Sequence, residues 1–221
     1  GKYIVSSSFD SSLRLWTIVD RRHLLELAAF RGHEGNVNSV AITTNNKTLI
    51  SGGDDKTVRV WSTQGQPSQP LVKDEPEGGV VNSVAFSPDG QYIVGGNSVG
   101  SMGIWNLQGR FLPNLIRHEK QVNSVTFSPN SKYIISGSDD KTIRFWSMKG
   151  KLLKIFKQPD IVGSVAISHN GQYIASGSIN TDGKISLWSV AGQGQSLQMQ
   201  LLREMKHQGG VYSVAFSPDG K

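Results

Sequence analysis

Cysteine is absent from the 221-residue chain, so a disulfide framework and a cysteine-based zinc site are both excluded. The apolar residues stand in short runs, and none approaches the roughly eighteen residues of a membrane-spanning helix, so no membrane partner is expected. The net charge of +6 is spread along the chain without a block of like charges, which argues against a nucleic-acid-binding tail. A cysteine-free chain fits a reducing compartment, and we expect a cytoplasmic protein.

Tryptophan reveals an internal repeat. The five tryptophans are Trp16, Trp61, Trp105, Trp146 and Trp188. The spacings between them are 45, 44, 41 and 42 residues, and each tryptophan closes a similar phrase, such as HEKQVNSVTFSPNSKYIISGSDDKTIRFW. Within a phrase, short runs rich in Val, Ile and Phe are separated by turn sequences such as SPDG, which predicts antiparallel strands. A further apolar run precedes the next phrase, so each unit supplies four strands of a repeat architecture.

These phrases resemble the WD-repeat family. The family signature is a Gly-His pair, a strand of the type VxSVAFSPDG, a second strand ending SGSxDxT, and a third ending Trp-Asp. Only Gly32-His33 keeps both residues of the first pair, and Thr or another polar residue replaces the final Asp, as at Thr17 and Asn106. The resemblance covers the whole chain and implies an all-β propeller built from four-stranded antiparallel blades.

The two ends of the chain together make one repeat. The chain starts with GKYIVSSSFDSSLRLW and stops with HQGGVYSVAFSPDGK, each in mid-phrase. We therefore predict one five-bladed domain with a closing blade built from both termini, because such a blade ties a ring shut. The predicted blades are 207–221 with 1–31, 32–76, 77–117, 118–157 and 158–206. A monomer is expected; the alternatives are a segment of a longer array and two chains sharing a larger ring.

The family resemblance also implies a buried hydrogen-bonded set of His, Ser or Thr, Asp and Trp in each blade. The three complete sets are His33, Ser51, Asp55 and Trp61; His118, Ser136, Asp140 and Trp146; and His207 with Ser6, Asp10 and Trp16. The third set joins the two termini. One blade has Glu77 and Val99 in place of His and Asp, and another has Gln158 in place of His and a longer turn before Asp182.

Serine, histidine and aspartate together also suit a hydrolase, with serine as nucleophile and histidine as base. Their recurrence at equivalent positions indicates a structural role instead, because a molecule needs a catalytic triad only once. No GxSxG turn surrounds these serines. The acidic pairs, such as Asp139-Asp140, lack the further oxygen ligands that calcium requires. We predict no enzyme activity, no metal site and no cofactor.

The predicted binding surface, here called the loop face, combines the loops before each first strand with those between second and third strands, around the central channel. Loops on a rigid scaffold commonly carry binding. By resemblance, the partner-facing residues flank the entry to the first strand or precede the turn aspartate. They are Phe9, Asn36, Asn38, Asp54, Asn82, Ser98, Gln121, Asn123, Asp139, Thr181 and Tyr212.

These partner-facing positions include no lysine or arginine, whereas basic residues lie in or beside the predicted outer strands, where lysine prevents strand-to-strand aggregation. We therefore expect a protein or peptide partner and no nucleic acid, with Phe9 and Tyr212 as anchors. The predicted function is a protein-interaction scaffold within a larger regulatory or signalling protein. The alternative is a lectin-like propeller that binds a small ligand, which should repeat the same pocket in most blades.

Overall fold

The structure is a computed structural model that describes residues 2–20, 22–63, 78–112, 116–180, 183–217 and 219. These residues form five antiparallel sheets, numbered one to five along the chain. A single turn of 3-10 helix at Gly194–Ser196 is the helical element of the described part. No helix within these ranges is long and apolar enough to cross a membrane.

The strands follow the predicted phrases. Sheet one contains β1 (Tyr3–Ser7), β2 (Ser12–Ile18) and β3 (Leu24–Arg31). Sheet two contains β4 (Val37–Ile42), β5 (Thr48–Gly53) and β6 (Val58–Ser62). Sheet three contains β7 (Val81–Phe86), β8 (Tyr92–Asn97), β9 (Ser101–Asn106) and β10 (Ile116–Arg117). Sheet four contains β11 (Val122–Phe127), β12 (Tyr133–Ser138), β13 (Thr142–Ser147) and β14 (Leu152–Lys157). Sheet five contains β15 (Val162–Ile167), β16 (Tyr173–Ser178), β17 (Lys184–Ala191) and β18 (Gln198–Lys206).

A hydroxyl group fixes the first hairpin of a sheet. The Ser128 hydroxyl donates to Asn130 Oδ1 at 2.8 Å and accepts from the Tyr133 N–H at 2.9 Å. Ser87 makes the same pair of bonds with Asp89 and Tyr92 in sheet three. The turn sequence therefore sets the register of the two strands, because its side chains satisfy backbone groups that the ladder leaves open.

Neighbouring sheets pack face to face, and the apolar core lies between them. Val162 and Val165 of β15, for example, pack with Ile135 and Ile143 of sheet four. Gly137 lets β15 approach, because a Cβ at this position would lie 2.5 Å from Val162 Cγ1. The consecutive sheets thus form the stacked blades of a β-propeller, with cores shared between neighbours.

A serine hydroxyl in the first strand links each consecutive pair of sheets from sheet two to sheet five. Ser83 Oγ accepts from the Val125 N–H at 3.0 Å, and Ser124 Oγ accepts from the Val165 N–H at 3.1 Å. The N–H of the valine that ends each phrase VxSV is therefore held by the serine of the equivalent phrase in the preceding sheet. This bond repeats with the period of the sequence.

The C-terminal segment differs from the predicted closing blade. The Val211 N–H donates to Ser178 O at 2.8 Å, and the Val214 N–H donates to Ser164 Oγ at 3.1 Å. These bonds place the segment against sheet five. The first strands of sheets three, four and five lie against the preceding sheet in the same way. In the described residues it pairs with no strand, and sheet one has three strands. The closed blade is not formed in this structure, and closure stays a prediction.

Candidate interaction face

Sheets two and four each contain a buried hydrogen-bonded network of the predicted residue types. In sheet four, His118 Nδ1 lies 2.7 Å from Asp140 Oδ2, and His118 Nε2 lies 2.6 Å from Ser136 Oγ. Because a carboxylate only accepts, Nδ1 carries the proton and Nε2 accepts from the serine hydroxyl. The Trp146 N–H completes the set by donating to Ser136 Oγ at 2.8 Å.

The network of sheet two repeats this arrangement. His33 Nδ1 lies 2.9 Å from the carboxylate oxygens of Asp55, and Nε2 lies 2.6 Å from Ser51 Oγ. The Trp61 N–H donates to Ser51 Oγ at 2.8 Å. The structure therefore brings together two of the three sets that the sequence singles out.

An arginine and a threonine extend each network beyond the predicted four residues. Arg144 Nη2 donates to Asp140 Oδ2 at 2.8 Å, and the Thr142 hydroxyl donates to Asp140 Oδ1 at 2.6 Å. In sheet two, Arg59 Nη2 lies 3.2 Å from Oδ2 of Asp55, the equivalent aspartate. The available sequence signal was the motif Asp-Lys-Thr-x-Arg, in which the arginine follows the aspartate by four residues.

Charge in these networks resides on the aspartate and the arginine. Burial raises the pKa of the Asp140 carboxyl, but hydrogen bonds from His118 and Thr142 outweigh that effect and hold this pKa below its ordinary value of 3.8. Burial also lowers the pKa of His118 below its ordinary value of 6.5, against the opposing effect of Asp140. The imidazole is therefore neutral at pH 7, between an ionised carboxylate and a hydroxyl.

In each network the aspartate contacts the histidine and the histidine contacts the serine, as in the catalytic triad of a hydrolase. Ser136 and His118 are however 0% and 1% exposed, so no substrate can approach the serine oxygen in this conformation. The hydroxyl also accepts the tryptophan N–H, which satisfies the buried polar groups of the third strand. The arrangement is suited to holding three strands of a sheet together. In the described ranges, no group of three His, Asp or Glu side chains is placed to hold a metal ion.

The third predicted set is not brought together. Trp16 donates to Ser6 Oγ at 3.0 Å, and Asp10 accepts from the Ser12 hydroxyl at 2.6 Å. His207 is exposed, and its backbone N–H donates to Gly183 O. The physical reason is the position of the C-terminal segment, which follows sheet five and does not reach β1.

Sheets three and five lack the full network, as their sequences predict. Trp105 is 1% exposed and packs against Gly95 and Gly103, and its N–H has no partner within the described part of the chain. In sheet five, the Trp188 N–H donates to Ser176 Oγ at 2.9 Å, and a cavity of about 20 Å³ borders Gln158 and Ser176. Glu77 and Asp182 lie outside the described residues.

Three loop-face asparagines tie neighbouring sheets together. The Asn38 amide donates to Val81 O at 3.3 Å. The Asn82 amide donates to Val122 O at 2.9 Å, and the Asn123 amide donates to Val162 O at 3.0 Å. Each side chain therefore already serves the stacking of the next sheet, which the sequence pattern did not predict. Whether these asparagines also contact a partner stays a prediction.

The other polar residues of the loop face lie on the same loops as these asparagines. Asp54 accepts from Asn38 at 2.8 Å, Asp139 accepts from Asn123 at 2.7 Å, and each carboxylate keeps a second oxygen. The remaining contacts are as follows: Gln121 donates to Asn123, Ser98 Oγ accepts from the Val80 N–H, and Asn36 O accepts from the Asp54 N–H. Thr181 lies outside the described residues.

Sheet five and the C-terminal segment depart from the asparagine pattern. Gly163 replaces the asparagine, and the Ile179 side chain packs directly against it. Tyr212 stands at the next equivalent position and is 72% exposed. Phe9, before the turn aspartate of sheet one, is 79% exposed. These are the two most exposed aromatic residues of the described chain, on loops that belong to one blade by sequence.

Comparison with known families agrees with this geometry. The family model "WD domain, G-beta repeat" matches residues 25–62, 69–106, 109–147, 150–189 and 199–221, which is most of the chain. The chain belongs to this family of WD-repeat proteins. The matches to 25–62, 109–147 and 150–189 each begin near the outer strand of one sheet and end at the third strand of the next, so these repeats each bridge two sheets.

Individual relatives match only short stretches. The chain is 34% identical over 79 residues to the nuclear distribution protein PAC1 of Candida tropicalis, covering 29% of this chain and 16% of that protein. It is 37% identical over 62 residues to the cell division control protein 4 of Candida albicans, covering 28% and 9%. It is 66% identical over 32 residues to the ribosome biogenesis protein ERB1 of Chaetomium thermophilum, covering 14% and 4%. The chain thus spans less than a fifth of the length of these relatives.

Proposed function

We propose that the chain is a non-enzymatic interaction module that binds a protein or peptide on the loop face, within a larger regulatory assembly. The observation that carries this proposal is the exposure of Phe9, in the turn between β1 and β2, and of Tyr212, in the C-terminal segment that lies against sheet five. Aromatic side chains are enriched at protein interfaces and carry much of their binding energy. The relatives named for nuclear distribution, cell division control and ribosome biogenesis are in keeping with a role in assemblies.

The buried networks support a scaffold instead of a catalyst. Their nucleophile-like serines are inaccessible, and the same device occurs in two sheets. The runner-up, a lectin-like propeller, would offer one pocket repeated in most sheets. The loop face instead repeats one Asn–Asp pair in sheets two and four only, with Ser98 before the turn in sheet three and Gly163 in place of the asparagine in sheet five. An asymmetric surface suits a single protein or peptide partner better.

The test is quantitative capture of partners from the source cell by the parent chain and by the double variant Phe9→Ala/Tyr212→Ala. We expect at least tenfold weaker capture, because each aromatic anchor contributes roughly 2 kcal/mol when truncated. The melting temperature should change little, since both side chains lie mostly in water. A matched control is Val19→Ala/Leu25→Ala, which removes two other exposed apolar side chains, 62% and 55% exposed.

Two outcomes contradict the proposal. If the double variant captures the same partners as strongly as the parent, the loop-face anchors play no role in binding. If the control pair weakens capture equally, the partner binds exposed apolar surface without selecting the loop face. Early unfolding of the double variant would show that Phe9 and Tyr212 are packing residues.

A further inference from the structure

The hairpin between β17 and β18 departs from the other repeats. Its strands contain 8 and 9 residues, against 7 and 8 in β2 and β3 and 6 each in β13 and β14. Gly192, at φ +83°, begins a bend that continues through the 3-10 turn Gly194–Ser196. This bend carries the hairpin tip toward sheet four. The extra residues therefore build something that the repeat itself does not require.

The bend is anchored on sheet four by a hydrogen bond and by apolar packing. The Gly194 N–H donates to Tyr133 Oη at 3.2 Å. Leu197 is 2% exposed and belongs to the core cluster that contains Phe145 and Ile174. The hairpin tip is thus held in place and does not depend on a ligand for its position.

A cavity of about 210 Å³ lies beneath this bend, here called the hairpin cavity. It opens beside the turns at Asn130 and Asn170, which are on the opposite side of the sheets from the loop face. Its apolar side is formed by Phe145, Ile167 and Leu197. Amide and hydroxyl side chains line the rest, so a ligand would meet an apolar floor and a polar rim.

None of the residues that line the hairpin cavity carries a charge. Other cavities on this protein do include a basic residue: Lys47 lines one near sheet two, and Arg110 lines one near sheet three. A charged group in the hairpin cavity would lose hydration without meeting an opposite charge. The cavity therefore favours an uncharged ligand.

Size and hydrogen bonding narrow the choice further. An apolar cavity of about 150 Å³ holds a benzene ring, so about 210 Å³ accommodates a ring with a substituent. Tyr133 Oη accepts from Gly194, which leaves the hydroxyl hydrogen available to donate. The Asn130 oxygen accepts from Ser128 and Lys132, while its amide nitrogen makes no hydrogen bond to any described residue. The rim therefore offers donors to an oxygen on the ring.

We propose that the hairpin cavity binds the uncharged side chain of a tyrosine presented by a partner peptide. The ring lies on the apolar floor near Phe145, and the phenolic oxygen accepts from Tyr133 and Asn130. This site is separate from the loop face, and the proposal does not depend on partner binding there. The hairpin cavity gives the protein a second site for a partner, at the hairpin between β17 and β18, where the sequence departs from the repeat.

The test is titration of the full chain, labelled with nitrogen-15, with N-acetyl-tyrosinamide. We expect saturable shifts of the backbone amides of Gly171 and Gly192, which line the cavity, and of Gly194, whose N–H donates to Tyr133 Oη. N-acetyl-phenylalaninamide should bind about fivefold more weakly, because it lacks the oxygen that the rim recognises. The O-phosphorylated tyrosine amide should cause no shift at these glycines, because the cavity has no cation to receive it.

Two variants test the location. Ala191→Trp fills the cavity and should abolish binding, whereas Gln198→Trp, on the cross-strand partner of Ala191 but not among the lining residues, should leave it unchanged. Asn130→Asp keeps the oxygen that fixes the turn, as Asp89 does in sheet three, but removes the amide donor. It should weaken the binding of N-acetyl-O-methyltyrosinamide, whose ring oxygen can only accept, at least fivefold without unfolding the chain.

The proposal is overturned if the shifts do not saturate, if they map to other amides, or if Ala191→Trp binds as the parent does. Equal binding of the phenylalanine or phosphorylated ligands would also overturn it, because the site would then not recognise an uncharged phenol. If Ala191→Trp fails to fold, the Asn130→Asp titration decides alone.

Discussion

Replacing Asp140 by alanine removes the centre of the sheet-four network. The carboxylate accepts from His118, Thr142 and Arg144, and from the Glu119 N–H at 3.2 Å. Its side chain is 3% exposed and that of Arg144 is 9% exposed, so neither group has water to replace a lost partner. The variant therefore leaves the buried guanidinium of Arg144 with only the exposed carboxylate of Glu119, 3.5 Å away, as an ion-pair partner among the described residues.

Breaking a buried ion pair by removing one partner costs roughly 3–5 kcal/mol. A domain of this kind is stable by only about 5–15 kcal/mol, so the loss is a large fraction of the total. The neighbouring Asp139 is the matched control, because its carboxylate accepts one side-chain bond, from Asn123 at 2.7 Å. Asp139→Ala should cost about 1 kcal/mol.

Urea unfolding followed by tryptophan fluorescence measures both variants against the parent. We expect a much lower midpoint for Asp140→Ala at an unchanged slope, since the surface exposed on unfolding stays the same. If the free energies of unfolding of Asp140→Ala and Asp139→Ala agree within about 1 kcal/mol, the network does not hold the sheet.

Two further predictions follow from burial and from packing. Stability should fall as the pH is lowered through 6.5, because burial lowers the pKa of His33 and His118, so the unfolded chain takes up protons before the folded one. A urea midpoint that stays constant between about pH 8 and pH 5 would contradict this. Gly137→Ala should cost about 1–3 kcal/mol, because the new Cβ meets Val162 of the next sheet. Gly209→Ala meets nothing within 4 Å and should melt as the parent does; equal melting of both variants would refute the packing argument.

The features predictable from sequence are those encoded within one repeat. The strand phrases, their turns and the partners of His33 and His118 all lie within about 30 residues, and each pattern recurs. The defects of sheets three and five were also visible, because Val99 stands in place of the aspartate in one and Gln158 in place of the histidine in the other. Each strand or turn pattern is weak evidence when it occurs once, and its recurrence in every repeat makes the prediction reliable.

Features that depend on the relation between sheets were less accessible. The asparagine of VNSV has several possible partners, and only the stacked geometry shows that Asn82 donates to Val122 O of the next sheet. From sequence alone Arg144 resembles an ordinary exposed strand residue. Only the folded structure shows that it contacts Asp140. The bend at 192–197 has no counterpart in the repeat, so periodicity carried no information about it.

Pairing of the C-terminal segment with β1 determines whether Phe9 and Tyr212 share one blade, as the proposed loop face requires. The equivalent strands pair Ala41 with Ile50 and Ala166 with Ala175. By the same register, Ala215 should face Val5. The chain has no cysteine of its own, so a cysteine pair introduced at these two positions reports on this contact without background.

Oxidation of Val5→Cys/Ala215→Cys therefore tests ring closure directly, with Ala166→Cys/Ala175→Cys as the control whose strands already pair. We predict that both variants form an intramolecular disulfide, seen as a faster-migrating monomer on a non-reducing gel. A disulfide-linked dimer of the first variant alone would show that two chains complete each other's blades. If the control cross-links and the first variant remains reduced, the C-terminal segment does not pair with β1, and Phe9 and Tyr212 do not form one anchor.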